Sequence, residues 1–95
     1  MEQRQVVVIG GYYLFRTCSD CPEQYDVFRR GANPCAYIRV RHSNGSIALT
    51  DDHGELMYTF WRTAVLGDGR LEDCEREGFL IEAIHRIHMK LGPKC

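Results

Sequence analysis

The spacing of apolar residues changes once along the chain, and this change limits the folds open to it. Up to Trp61, short apolar segments with strand character are separated by turn residues. Over residues 71–91 the apolar side chains instead recur at helical spacing: Phe79, Leu80, Ala83, Ile84, Ile87 and Leu91. The connections are too short for crossovers, so neighbouring strands must be antiparallel. We predict an α+β fold, an antiparallel sheet of four to five strands packed against one C-terminal helix.

The clearest strand covers residues 35–41, where side chains alternate between two faces. Ala36, Ile38 and Val40 point one way, and Tyr37, Arg39 and Arg41 point the other way. Asn44 and Gly45 follow, and both tolerate the positive φ that a type I′ hairpin turn requires. We therefore predict a hairpin that turns at Asn44-Gly45 and returns as a strand over residues 46–50.

Three further segments have strand character. Residues 25–29 alternate, and residues 56–61 carry apolar bulk on both faces, with Leu56, Tyr58 and Phe60 on one and Met57 and Trp61 on the other. Near the start, Val6–Ile9 is β-branched and is followed by Gly10-Gly11, which forms either a bulge or a turn. Residues 1–17 are thus one bent strand or two, and residues 1–11 are either an integral strand or an exchanged arm.

Length and charge restrict the class of protein. The 95 residues suit a single domain spanning residues 1–95. Against 12 Lys and Arg stand 13 Asp and Glu, so the chain lacks the basic excess typical of nucleic-acid binders, and a nucleic-acid partner is not expected. The resulting net charge of −1 gives weak self-repulsion, which leaves a homodimer open.

The predicted compartment is the cytoplasm. No apolar segment approaches the roughly 18–20 residues that a membrane helix needs, and Val6–Ile9 is too short for a secretion signal. The cysteine count is 5, an odd number without a secretion signal, which indicates reduced thiols. We expect no membrane association.

Cys18 and Cys21 are spaced so that both thiolates could hold one zinc ion. Cys35 and His42 could complete a tetrahedral set, but they lie at opposite ends of one predicted strand, roughly 20 Å apart. We favour reduced loop cysteines and expect no metal. A zinc-stabilised interaction module using Cys18 and Cys21 is kept as an alternative.

Other clusters do not assemble a catalytic set. Glu82 and His85 form one E-x-x-H unit, whereas a di-iron site needs two. Asp51 and its acidic neighbours are typical turn formers and do not match a calcium-binding loop. No nucleophile elbow or phosphate-binding loop is present, so we predict a protein that is not an enzyme and holds no cofactor.

Tyr37, Arg39 and Arg41 share the polar face of the clearest strand, and Arg16, Arg29 and Arg62 could join them. An aromatic ring and arginines on an exposed sheet can stack on bases or grip phosphates. They can equally pair with acidic residues of neighbouring strands, which we favour. A small-ligand or nucleic-acid binding module is the alternative.

An interaction surface is the leading prediction. The apolar bulk on both faces of residues 56–61 is suited to a protein interface. We therefore select Tyr37, Arg39, Arg41, Met57 and Trp61 as candidate binding residues.

Three short sequences resemble those of small uncharacterised accessory proteins from phages and prophages. They are YDVF at residues 25–28, AYIRVRH at 36–42, and GDG at 67–69 before an acidic helix start, within a resemblance spanning residues 12–91. The resemblance implies a phage or prophage origin. It implies no fold, activity or site residue. Such proteins often act by occupying a host surface, as anti-CRISPR and other anti-defence proteins do. We predict a non-enzymatic binding protein that inhibits or modulates a host protein.

Overall fold

The computed structural model describes residues 6–18, 23–29, 33–51, 53 and 55–92. Within them lie six strands and one helix. In chain order these are β1 (Val6–Ile9), β2 (Tyr12–Cys18), β3 (Glu23–Phe28), β4 (Ala36–Arg41), β5 (Asn44–Thr50), β6 (Leu56–Ala64) and α1 (Asp73–Leu91).

The strands form one antiparallel sheet in which spatial order equals sequence order, β1-β2-β3-β4-β5-β6. The predicted α+β class is confirmed, but the expected count of four to five strands is wrong, since the sheet has six. At the start, Gly10 and Gly11 adopt φ of +54° and +84° and make a turn, so the glycines separate two strands. β1 pairs with β2 of the same chain and is an integral strand over Val6–Ile9. Residues 1–5 lie outside the described part.

The β4–β5 hairpin is present, but its turn lies two residues earlier than predicted. His42 and Ser43 have φ of +52° and +61°, and Arg41 pairs with Asn44 as the first rung of the ladder. Gly45 therefore belongs to β5. A Cβ there would overlap the ring of Phe79, so any larger residue would have to displace that ring.

The core lies between α1 and one face of the sheet. Its fully or nearly fully buried members from the sheet are Tyr12, Leu14, Tyr25, Val27, Ala36, Ile38, Val40, Ile47 and Leu49. The helix contributes Phe79, Leu80, Ala83, Ile84 and Ile87, which confirms the predicted stripe except for Leu91, an exposed residue at the helix end. The predicted inward residues of β4 are all buried, so Arg39 and Arg41 lie on the opposite face, which we call the open face.

Glu72 is the N-cap of α1. The Glu75 carboxylate accepts the Glu72 N–H at 2.8 Å and also the N–H groups of Leu66 and Gly67. Desolvation alone would raise the pKa of Glu75, but these backbone donors outweigh it and lower the pKa. Gly92 is the C-cap of the helix, and its N–H donates to the His88 carbonyl at 2.8 Å.

Candidate functional site

Strand β6 forms one edge of the sheet and exposes apolar side chains. Leu56, Met57 and Tyr58 are 63%, 52% and 47% exposed. Only β5 pairs with β6 among the described strands, so the outer backbone groups of this strand remain open for pairing. An unpaired edge and three exposed apolar side chains therefore coincide on one strand.

Two register shifts between β5 and β6 break the alternation predicted for residues 56–61. Trp61 pairs with Ile47 and Thr59 with Ala48, although a regular strand would place Trp61 and Thr59 on the same face. Likewise Leu56 pairs with Thr50 and Tyr58 with Leu49, so these two side chains do not share a face as predicted. Bulges of this kind re-aim side chains at a sheet edge, and their position depends on the partner strand.

Trp61 lies against the helix, while Met57 is exposed. The indole ring stacks on Phe79 with ring centroids 5.9 Å apart, and the Arg86 guanidinium lies 4.5 Å from the indole centroid. Trp61 thus closes the side of the core beneath β6. Of the predicted binding residues, Met57 is exposed on the edge strand, whereas Trp61 packs on Phe79 and holds that strand against the helix.

A cavity of about 390 Å³ separates β6 from α1. Phe60 and Trp61 line it from the sheet, and His85, Met89 and Lys90 line it from the helix. The Lys90 ammonium lies 5.8 Å from the Tyr58 ring centroid and 5.9 Å from that of Phe60. The apolar surface of β6 therefore continues onto the helix, with a positive charge at its rim. We refer to β6 with this cavity as the β6 edge surface.

The open face carries a second cavity, of about 320 Å³, which we call the arginine cavity. Its charged walls are Arg39 and Arg41 from β4 and Arg62 from β6, with His42 beside them. Arg39 and Arg62 lie in one row of the sheet because both pair with Ser46. The ion pairs in the described part of the chain involve none of these three arginines. The ion pairs of the described residues therefore do not include the expected pairing of Arg39 and Arg41 with acidic residues of neighbouring strands.

The remaining arginines considered for this cluster lie elsewhere. Arg16 is 3.4 Å from the Glu23 carboxylate, and Arg29 donates to the Gly92 carbonyl at 2.8 Å. Tyr37 precedes Arg39 by two residues and lies on the open face opposite Asp26. Burial, followed by the negative charges of Asp26 and Glu55, raises the pKa of Tyr37. The sheet thus brings together Tyr37, Arg39, Arg41 and Arg62.

A buried charge cluster that the sequence analysis missed joins β3 to the helix. The Glu23 side chain is 0% exposed and accepts hydrogen bonds from Tyr25 Oη at 2.6 Å, from Leu71 N–H at 2.9 Å and from both Arg76 Nε and Nη2. Burial acts to raise the pKa of Glu23, but the hydrogen bonds from Arg76, Tyr25 and Leu71 outweigh it and lower the pKa. Glu23 is in phase with Tyr25 and Val27, which was the available signal for its burial.

The predicted zinc ligands are not both within the described residues. Cys18 is the last residue of β2, whereas Cys21 lies outside the described part, so the zinc alternative stays a prediction. Cys35 and His42 flank β4 at opposite ends, as expected. Residues 6–18, 23–29, 33–51, 53 and 55–92 contain no group of three or more histidine, cysteine or acidic side chains suited to a metal ion.

The acidic turn and the E-x-x-H unit take part in local contacts. The Asp51 carboxylate accepts the N–H groups of His53 and Glu55 at 2.9 Å each, which is the role of a turn former. Glu82 accepts a hydrogen bond from Arg86 one helical turn later. These contacts explain both features through local structure.

Comparison of the chain with known protein families, with curated proteins and with solved structures finds no match. In the described part of the chain, no helix combines the length and the apolar character needed to cross a membrane.

Proposed function

We propose that this protein is a non-enzymatic binding protein that engages a protein partner stoichiometrically through the β6 edge surface. The observation that carries the proposal is the exposure of Leu56, Met57 and Tyr58 on an edge strand of 9 residues that pairs only with β5 among the described strands. Proteins usually protect such edges with charges, prolines or a covering segment. Arg62 is the single charge within β6, and it lies near the far end from the apolar residues.

The occupant that fits this surface is an extended segment of the partner that adds as a further strand beside β6. Backbone hydrogen bonds to the open edge would supply affinity, and apolar side chains of the segment would contact Leu56 and Tyr58. Lys90 lies at the rim without a carboxylate partner among the described residues, whereas Arg86 is paired with Glu82. A segment with an acidic side chain near Lys90 would therefore be preferred.

The setting of this proposal comes from the sequence resemblance. We propose that the partner is a host protein. This protein would inhibit or modulate it by occupying its surface, as phage anti-CRISPR and other anti-defence proteins do with their targets. The proposal places the protein in the cytoplasm, where its cysteines would stay reduced.

The test compares the wild-type protein with Met57→Lys and with a matched control, Leu66→Lys. Leu66 is 72% exposed in the connection between β6 and α1, so its replacement adds the same charge away from the edge. Proteins captured from a host extract by the wild type and by Leu66→Lys are purified, and each is titrated calorimetrically against the wild type and both variants. We expect 1:1 binding that Met57→Lys weakens by about tenfold or more. A partner held equally well by Met57→Lys contradicts the proposal.

A homodimer is the competing use of the same edge. Native mass spectrometry of the reduced protein distinguishes the two. A wild-type dimer that Met57→Lys converts to a monomer would make a second copy the occupant of β6, while a monomer in both leaves the edge to a different protein.

A further inference from the structure

We infer that the arginine cavity on the open face binds the phosphate of a small phosphorylated ligand, most favourably a nucleoside phosphate. This site lies on the opposite side of the sheet from the core, and the inference does not depend on the β6 edge surface. It rests on the position, charge and size of the cavity.

The register of the sheet directs three guanidinium groups toward one volume. Arg39 and Arg62 flank Ser46 on neighbouring strands, so their Cα atoms are roughly 10 Å apart. Arg41 follows Arg39 on the same face of β4, roughly 7 Å further along. All three side chains line the same cavity.

The charge of the cavity is uncompensated within the described residues. Arg39 Nε donates to the neutral side-chain oxygen of Gln24 at 3.3 Å, and no ion pair involves Arg39, Arg41 or Arg62. Three like charges lining one volume repel each other, so the arrangement favours uptake of an anion. Arginine is the side chain best matched to phosphate because its planar fork donates two parallel hydrogen bonds.

Additional polar groups surround the arginines. Ser46, Thr59 and Asn44 line the same cavity, and the Ser46 hydroxyl donates to the Arg39 carbonyl at 3.4 Å. The Asn44 amide donates to the His42 carbonyl at 3.1 Å, which holds the turn at the cavity rim in place. Such neutral groups can complete the coordination of phosphate oxygens that the guanidinium groups leave open.

The size of the cavity favours a small molecule over a polymer. Its volume of about 320 Å³ is at the lower end of the range for small-molecule sites. The net charge of −1 does not provide the extended basic surface of a nucleic-acid binder. Tyr37 does not line the cavity but lies beside it, on the same face of β4 two residues before Arg39. A base that extends from a bound phosphate could stack on its ring. In a nucleoside phosphate, the phosphate would bind the arginines and the base would stack on this ring.

The experiment is a calorimetric titration of the full chain with inorganic phosphate, AMP, ADP and a single-stranded oligonucleotide. The variants are the double substitution Arg39→Gln/Arg62→Gln and the control Arg70→Gln, an exposed arginine outside the cavity. We expect the double substitution to weaken phosphate and ADP binding by about tenfold or more. Arg70→Gln should stay within about twofold of the wild type. Melting curves of each variant verify that the fold is retained.

A third variant separates the phosphate from the nucleoside. Tyr37→Leu should weaken AMP and ADP but leave inorganic phosphate unchanged, since stacking involves only the base. Equal affinity for phosphate and ADP would retain the phosphate site and remove the nucleoside from the inference.

Three results would overturn the site itself. The first is the absence of phosphate or ADP binding at ligand concentrations up to about 10 mM. The second is binding that the double substitution leaves unchanged. The third is binding of the oligonucleotide that is far tighter than binding of ADP and depends steeply on salt. The last result would identify a polymer surface instead.

Discussion

The hydroxyl of Tyr25 donates a hydrogen bond of 2.6 Å to the carboxylate of Glu23, two residues earlier on the same buried face of β3. The same carboxylate receives two hydrogen bonds from Arg76, in the first turns of α1. Tyr25 and Arg76 therefore satisfy a charge that the core could not otherwise hold. The cluster joins the start of β3 to the start of the helix.

We expect Glu23→Gln to destabilise the protein by about 3 kcal/mol, because it leaves Arg76 without its buried partner. Unfolding in urea, followed by circular dichroism, measures the loss. The control is Glu82→Gln, which breaks the exposed Glu82–Arg86 pair and should cost about 0.5 kcal/mol or less. Equal losses in both variants would mean that the buried cluster contributes no more than a surface pair.

The stability of the protein should fall in acid partly because of Glu23. Its pKa is lowered on folding from an ordinary value of 4.5, so its contribution is complete above that pH. The contribution disappears as the pH falls through the lower pKa of the folded state. Urea unfolding at a series of pH values from 7 to about 2.5 should show a steeper loss for the wild type than for Glu23→Gln. Parallel curves for the two proteins would exclude Glu23 as a source of the acid sensitivity.

Gly45→Ala and Gly78→Ala should have opposite effects on stability. A methyl group at Gly45 would overlap the ring of Phe79, and we expect a loss of about 2 kcal/mol from overpacking. At Gly78 nothing lies within 4 Å, and alanine in the helix interior should stabilise by up to about 1 kcal/mol. Thermal melts of the two variants provide the comparison. Stabilisation by Gly45→Ala would contradict the close approach of α1 to β5.

Trp61→Ala should lower the free energy of unfolding by about 2 kcal/mol, because it removes the stacking on Phe79 from a half-buried position. For this reason the variant cannot report on binding alone. Met89→Ala is the control, since Met89 lines the same cavity but is 69% exposed. Urea unfolding of both variants measures the difference. A loss at Trp61 no larger than at Met89 would remove its role in the core.

Local sequence patterns were sufficient to predict β4 and the helix, because the burial of their side chains follows a regular spacing along the chain. The alternation in β4 predicted which of its side chains are buried, and the change of period predicted the helix. The turn at His42-Ser43 was missed because Asn44-Gly45 has the stronger turn propensity, whereas contact with Phe79 places Gly45 in the strand. That contact depends on a residue far along the chain.

For the candidate sites as well, local patterns predicted some features, and contacts between distant residues determined the others. Tyr37, Arg39 and Arg41 were placed correctly on one face, because a single regular strand determines their direction. The predicted shared face of Leu56 and Tyr58 was wrong, since the bulges of β6 arise from its pairing with β5. The Glu23–Arg76 contact joins residues separated by 53 positions and has no local pattern.

The agreement between spatial and sequence order in the sheet has a consequence for synthesis. Each strand of β1–β6 can pair with the strand made just before it, so the sheet can grow hairpin by hairpin as the chain leaves the ribosome. The helix that covers its apolar face is made after all six strands. Until residues 73–91 have been made, the apolar face of the sheet has no helix to cover it, and an uncovered apolar surface favours aggregation.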